Sequence, residues 1–317
     1  MSRLYGDADM KNYITIDGGT TNTRVSLVKD EEIVKTIKLA IGARVGIDNK
    51  KLLVSEIKKA VEQLGNGEPI ERILASGMIT SEFGLYNLSH ITAPAGIKEL
   101  HGAMKEVAIP EISEIPFVFI PGVKVTGEGL HETDMMRGEE TELVGLCNGC
   151  CAGGIYILPG SHSKIITVDC DGRIVDFSTM LTGEMIAALS GGTILKDAVD
   201  LSQSETSEEF LLKGYNYCNS FGINEALFKT RVLKNLLGAS ENEVYSFFIG
   251  AVLHGEIKRI VAGNEVNIVI GGKAQIKNAM YKLLTHICDK KISLVSDDIA
   301  ETASLRGIIK IYEYAAK

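Results

Sequence analysis

The chain has 317 residues, 45% hydrophobic and 23% charged, a balance that supports about two folded domains and excludes bulk disorder. Its formal net charge is −8, with 16 basic against 22 acidic residues up to residue 145 and 17 against 19 beyond it. Neither half suits nucleic acid or an anionic membrane surface, so an anionic ligand must be held by backbone N–H groups and a few placed cations.

The opening stretch MSRLYGDADMKN is polar and lacks an apolar signal core. No run approaches the ~18 apolar residues that a membrane span needs. The cytoplasm is the expected location. The 6 cysteines do not make a small-domain disulfide framework. Glycine is abundant, 33 residues against only 6 prolines, which points to tight turns and close backbone approaches.

The first element is a strand, Tyr13 to Ile16, running into the turn Asp17-Gly18-Gly19-Thr20-Thr21-Asn22-Thr23-Arg24. Strands Val25 to Lys29 and Ile33 to Leu39 complete a meander. Leu53, Val54, Ile57, Val61 and Leu64 have helical spacing, so a helix is expected over Lys51 to Leu64. A strand from Ile70 to Ala75 ends at Ser76-Gly77-Met78. Residues 79–115 read as loop-rich. Phe117 to Ile120 is an apolar strand, and a helix starts near Gly138 and runs to about Leu146.

The second half repeats the pattern: strand Ile155 to Leu158, turn Pro159-Gly160-Ser161-His162-Ser163-Lys164, strand Ile165 to Val168, strand Arg173 to Phe177. Aligned on their turns, Gly19 and Thr20 fall on Gly160 and Ser161, and Arg24 falls on Lys164. This internal echo is read as a duplication. Residues 185–260 are mainly helical, broken at Ser202 to Ser207. Val266 to Ile270 is a strand ending in Gly271-Gly272. A helix Gln275 to Ile287, a strand Lys291 to Val295 and a helix Ile299 to Ala316 capped by Asp298 close the chain. Two lobes are expected, 1–145 and 146–317, with the final helix able to pack back on the first.

The turn at Asp17 to Arg24 is the strongest candidate site. Gly18 and Gly19 clear space, and Thr20, Thr21 and Asn22 add donors, which suits a phosphate chain. Asp17, at the strand end, is placed to hold Mg²⁺. Arg24 can reach a phosphate or a substrate carboxylate. The second turn has Leu158 in place of the acid, so Gly160, Ser161 and Lys164 would act on phosphates only. His162 could be a polar loop residue and nothing more. Gly271-Gly272 would let a flat ring approach the backbone. No Walker A or GxGxxG motif is present. Glu139 and Glu140 open a helix, where acids often only complement the dipole; either could instead be a general base. Thr182 and Glu184, in Leu181-Thr182-Gly183-Glu184, open a second helix whose free N–H groups could hold an anion. Cys147, Cys150 and Cys151 lack the partners of a zinc site.

Taken together, the DGGTTNTR hairpin, its echo and the strand-GG-helix resemble the actin-like ATPase superfamily. Within it, SGMITSEFGL (76–85), MRGEET (136–141), PGSHSK (159–164) and LTGE (181–184), in this order, resemble the 2-dehydro-3-deoxygalactonokinase family over roughly residues 13–315. Three departures are mild: Gly18 where an aromatic is common, Ser161 for Thr, and Leu181 for Met.

The resemblance implies a two-lobed, ribonuclease H-like α/β fold with duplicated mixed sheets and flanking helices. It implies ATP-dependent phosphorylation of the C6 hydroxyl of 2-dehydro-3-deoxygalactonate in galactonate breakdown, with Mg²⁺. By the same resemblance, Asp17 would hold Mg²⁺, and Gly18, Gly19, Thr20, Thr21, Asn22, Gly160, Ser161 and Lys164 would cradle phosphates. Gly271 and Gly272 would line the adenosine pocket. Glu139, ahead of Glu140, would be the base, and Arg137 or Arg24 would hold the substrate carboxylate, with Thr182 and Glu184 nearby. The partners are ATP and a small sugar acid, with no nucleic acid or membrane and a second copy of the chain left open. The rivals are a superfamily kinase with another acceptor and an actin-like nucleotide switch.

Overall fold

The structure is a computed structural model that describes residues 11–272 and 274–315. The chain forms two compact units. The first comprises the chain up to Ala152 with Asp171–Val175 and the stretch from Thr302 on, and the second Gly153–Cys170 with Asp176–Glu301.

The first unit opens with β1 (Asn12–Gly18), β2 (Thr23–Lys29) and β3 (Glu32–Leu39), then α1 (Ala43–Gly65) and β4 (Arg72–Gly77). β5 (Ile91–Thr92), α2 (Ile97–Gly102), β6 (Lys105–Ile109), β7 (Ser113–Phe119), β8 (Val123–Val125), β9 (Asp134–Met136) and α3 (Glu139–Leu146) follow. Its main sheet has the order β3-β2-β1-β4-β7-β6, with β1 antiparallel to β2 and parallel to β4. Residues Asn12 to Ile16 of β1 are all buried, as expected for a central strand covered on both faces. Ile14, Ile16, Ile73, Phe117 and Phe119 pack on Leu53, Ile57, Val61 and Leu64, the stripe that the helical spacing marks out.

The second unit holds β10 (Gly154–Leu158), β11 (Ser163–Val168), β12 (Ile174–Met180), α4 (Thr182–Gly192), α5 (Glu208–Phe221), α6 (Ile223–Leu237), α7 (Glu241–Ala262), β13 (Asn267–Ile270), α8 (Ala274–Ile287) and β14 (Lys291–Leu294). α9 (Asp297–Tyr312) ends the described helices; it passes into the first unit at Thr302, and the first two residues of β12 also belong there. The sheet order is β12-β11-β10-β13-β14, with β10 antiparallel to β11 and parallel to β13. The three-strand meander and the parallel fourth strand of the first unit are thus repeated. α7 is buried on most sides, with Phe248, Ile249, Leu253, Ile257 and Ile260 in the core against Ile157, Ile268 and Ile270.

Three expectations need correction. α1 begins at Ala43, because non-helical Asn49 (φ −150°, ψ 72°) kinks it and breaks its periodicity. Asp298 lies within the first turn of α9 rather than capping it; the helix ends at Tyr312, and Ala316 lies outside the described residues. Cys147 and Cys151 form a disulfide, since the turn after α3 brings their Cα atoms to 4.9 Å. No helix among the described residues is long and apolar enough to cross a membrane.

Candidate active site

Each unit builds its loop in the same way. The β1–β2 register pairs Asp17 with Arg24, and the β10–β11 register pairs Leu158 with Lys164. The alignment of the two turns is therefore the alignment of the two folds. In the first unit, Gly19 N–H donates to Asn22 O at 2.8 Å, closing a tip on which Thr20, Thr21 and Asn22 are exposed. In the second, Gly160 and Ser161 are exposed, whereas Lys164 is buried with Nζ 3.5 Å from His162 O.

Behind each tip lies a helix start. Ala43 and Arg44 N–H donate to Gly19 O and Thr20 O, both at 3.0 Å. Gly183 and Glu184 N–H donate to Gly160 O at 3.1 Å and Ser161 O at 3.2 Å. The sequence reading of the LTGE amides as a free anion site is thus corrected for these two donors, because loop carbonyls already occupy them. The contact needs a missing side chain: a Cβ on Gly42 would lie 2.4 Å from Gly19 O, and one on Gly183 2.5 Å from Gly160 O.

The strand ends also correspond. Gly77 (φ 80°) ends β4, and Gly272 (φ 74°) follows β13. A Cβ on Gly77 would meet Gly18 O at 2.4 Å, and one on Gly272 would meet Pro159 O at 2.7 Å. Gly271 is buried, and its N–H donates to Ile157 O at 2.8 Å. The glycine pair near the C-terminus therefore has a packing duty whatever else it does. Gly77, part of SGMIT, is its counterpart, a pairing visible only once both sheets are known.

The start of α3 lies close to Gly77. A Cβ on Gly138 (φ 113°) would come within 3.2 Å of Gly77 Cα, and Ser76 Oγ is 3.0 Å from Thr141 Oγ1. The acids of α3 then differ sharply. Glu140 is fully buried, with both carboxylate oxygens accepting from Gly138 N–H at 2.8 and 2.9 Å. Burial, and then the charge of Glu139, push its pKa up to about 8. Glu139 is half-buried, and its Oε2 accepts from Arg137 N–H at 3.1 Å.

Glu142 went unnoticed in the sequence. Burial, then Glu139 and Asp17, raise its pKa to about 7, while Arg24 opposes them. It lies one turn beyond Glu139, and that i, i+3 spacing was the available signal. Asp17, Arg24, Glu139 and Glu142 thus share one electrostatic field within the first unit. Arg24 grips Asp17 Oδ2 through Nε at 3.1 Å and Nη2 at 2.5 Å.

Arg137 is placed differently. Nη1 donates to Thr80 O at 2.8 Å and Oγ1 at 2.5 Å, and Nη2 to Leu88 O at 2.8 Å. Nη2 also lies 3.2 Å from His90 Nδ1. A guanidinium can only donate, so Nδ1 accepts and Nε2 carries the proton. Burial and Arg137 lower the His90 pKa to about 4. Arg137 therefore ties the 78–90 segment to the start of α3. In the second unit, Thr182 is buried with its hydroxyl on Glu256, and Glu184 is exposed with Oε1 3.1 Å from His162 Nε2. His162 is thereby fixed to α4.

Among the described residues, no group of three His, Cys, Asp or Glu side chains could hold a metal. A single carboxylate such as that of Asp17 is compatible with Mg²⁺, which takes one or two carboxylates and fills its sphere with water and substrate phosphates.

The sequence profile of 2-keto-3-deoxy-galactonokinase (DGOK) matches residues 17–311. The chain belongs to the 2-keto-3-deoxy-galactonokinase family. A probable 2-dehydro-3-deoxygalactonokinase of Rhizobium meliloti (strain 1021) is 28% identical over 205 residues, spanning 63% of this chain and 60% of that relative. A crystal structure from Sinorhizobium meliloti, provisionally assigned as a 2-dehydro-3-deoxygalactonokinase, superposes with a TM-score of 0.77 at 21% identity, covering 96% of this chain and 100% of that one. A ligand-bound xylulose kinase from Lactobacillus acidophilus gives 0.53 at 10% identity, covering 95% and 89%. The 2-keto-3-deoxy-galactonokinase fold is that of the actin-like sugar kinases, as the motifs imply.

Proposed function

We propose that this chain transfers the γ-phosphoryl group of ATP to the C6 hydroxyl of 2-dehydro-3-deoxy-D-galactonate, giving the 6-phosphate for galactonate breakdown. The match of the family profile over residues 17–311 carries the reading. The field shared by Asp17, Arg24, Glu139 and Glu142 supports it.

Glu139 is the proposed base. It is half-buried, whereas Glu140 has no exposed surface and spends both oxygens on Gly138 N–H. The C6 oxygen attacks the γ-phosphorus, its proton passes to the Glu139 carboxylate, and the bond to ADP breaks. Such transfer depends on positioning and charge neutralisation rather than covalent help. Gly18, Gly19, Thr20, Thr21 and Asn22 present the exposed tip of the first unit to phosphates. Gly160, Ser161 and Lys164 do so in the second, and Gly271-Gly272 borders the adenosine.

Asp17 would hold Mg²⁺, which when bound neutralises phosphate charge. Arg24 or Arg137 would hold the substrate carboxylate, and Arg24 already shares its field with Asp17. The Arg137 donors are engaged by Thr80 and Leu88, which favours a framework duty there. Thr182 and Glu184 are assigned to supporting the second loop, through Glu256 and His162.

The test is a panel of sugar acids with Mg-ATP. We expect ADP release that depends on 2-dehydro-3-deoxygalactonate, with phosphorus–proton coupling at C6 in the product. Preference for another acceptor would give the site to a neighbouring sugar kinase. Hydrolysis indifferent to any acceptor would favour a nucleotide switch.

A further inference from the structure

Glu256 lies on α7, and among that helix's buried residues it is the one that carries a charge. It is 3% exposed. Thr182 Oγ1, at the start of α4, donates to its Oε2 at 2.6 Å. The Ser163 hydroxyl, where the PGSHSK turn enters β11, neighbours the same carboxyl and favours its charged form. Oε1 is buried with no hydrogen-bond partner among the described residues. All three side chains lie within the second unit.

Such a group is costly. A buried carboxyl with an unmatched oxygen loses its hydration, and a Leu or Met of similar volume would pack beside Leu253, Ile257 and Ile260 at lower cost. Burial drives its pKa up to about 7, opposed only by the Thr182 and Ser163 hydroxyls. The two hydroxyls it gathers are not arbitrary. Ser163 Oγ accepts from Gly160 N–H at 3.4 Å, inside the loop, and Thr182 begins the helix whose next two amides bind Gly160 O and Ser161 O. The buried carboxyl therefore reaches both halves of the contact between loop and helix from beneath.

We propose that Glu256 is a positioning residue for the second unit's phosphate loop, fixing residues 159–164 against the start of α4 through Ser163 and Thr182. This rests on the reading of that loop as part of the ATP site. Glu256 does not meet the nucleotide. It sets where the Gly160 and Ser161 backbone stands, and so its removal acts on ATP and spares the sugar acid.

The test uses the full chain with Glu256→Gln, Glu256→Ala, Thr182→Val and Ser163→Ala. Calorimetric binding of a non-hydrolysable Mg-ATP analogue is measured without sugar, beside KM for ATP, KM for the sugar acid and Tm. We expect Glu256→Ala to weaken analogue binding and raise KM for ATP by about tenfold or more, with KM for the acid within about twofold. Glu256→Gln keeps an acceptor for Thr182 and restores affinity to within about threefold. Thr182→Val and Ser163→Ala shift ATP affinity in the same direction, and they decide the matter if Glu256→Ala does not fold.

Unchanged analogue affinity in folded Glu256→Ala overturns the proposal. So do equal rises in both KM values, a Gln variant no better than Ala, or unchanged affinity in both hydroxyl variants. Failure of the unsubstituted protein to bind the analogue overturns the ATP reading as well. Analogue binding with preference for a different acceptor touches only the substrate reading, and the loop is still judged by the binding arm.

Discussion

The Asp17 carboxylate takes both contacts from the Arg24 side chain on one oxygen, Oδ2, at 3.1 and 2.5 Å. Its fellow oxygen, Oδ1, is not part of those two bonds. An acid held by its neighbouring strand in this way presents a fixed direction to a metal. Asp17→Asn keeps the shape and removes the charge, and it should lower kcat/KM by about 10² or more at saturating Mg²⁺. Arg24→Ala should raise KM for the sugar acid well above any rise for ATP. Steady-state kinetics with each substrate varied in turn checks both, and equal rises would remove Arg24 from the acceptor site.

The two neighbouring glutamates of α3 should separate cleanly. Glu139→Gln should abolish turnover while sparing ATP binding, and retained turnover would sink the base assignment. Glu140→Gln should act on stability instead. The folded pKa of Glu140, about 8, lies above its ordinary 4.5, so the folded state keeps a proton that the unfolded chain releases. Its contribution is therefore fully present below about pH 4.5 and fades as pH rises through about 8. Melting curves from pH 5 to 9 should show a decline in Tm that Glu140→Gln makes shallower.

Arg137→Ala strips four protein acceptor atoms of a charged donor. It should cost about 2–3 kcal/mol in urea unfolding, in line with hydrogen bonds to charged groups. A stable Arg137→Ala protein with a selectively raised KM for the sugar acid would return Arg137 to the substrate site.

Much of this was readable in advance. The periods of β1, α1 and the central strands mark the core, and the echo of DGGTTNTR in PGSHSK marks the duplication. Three things were hidden, each for a physical reason. The α4 amides look free in sequence because their acceptors, Gly160 O and Ser161 O, are about twenty residues away and carry no side-chain signature. Glu142 looks like one more dipole-complementing acid until Asp17 and Arg24 are brought beside it. Glu256 stands among His254, Lys258 and Arg259 and looks in sequence like one more solvated charge, and nothing nearby announces Thr182 or Ser163. Local chemistry is legible from local residues, whereas a partner supplied by another element is not.

The paired contacts of Gly19 with Ala43 and Gly160 with Gly183 are made wholly by main-chain atoms. That bears on inheritance. A joint built from peptide groups tolerates drift in nearly every side chain around it and forbids only bulk at its closest point, Gly42 in one copy and Gly183 in the other. Two halves descended from one ancestor could thus diverge in almost all their letters while keeping the joint intact. Their kinship is then better sought in which main-chain groups meet than in which side chains are shared.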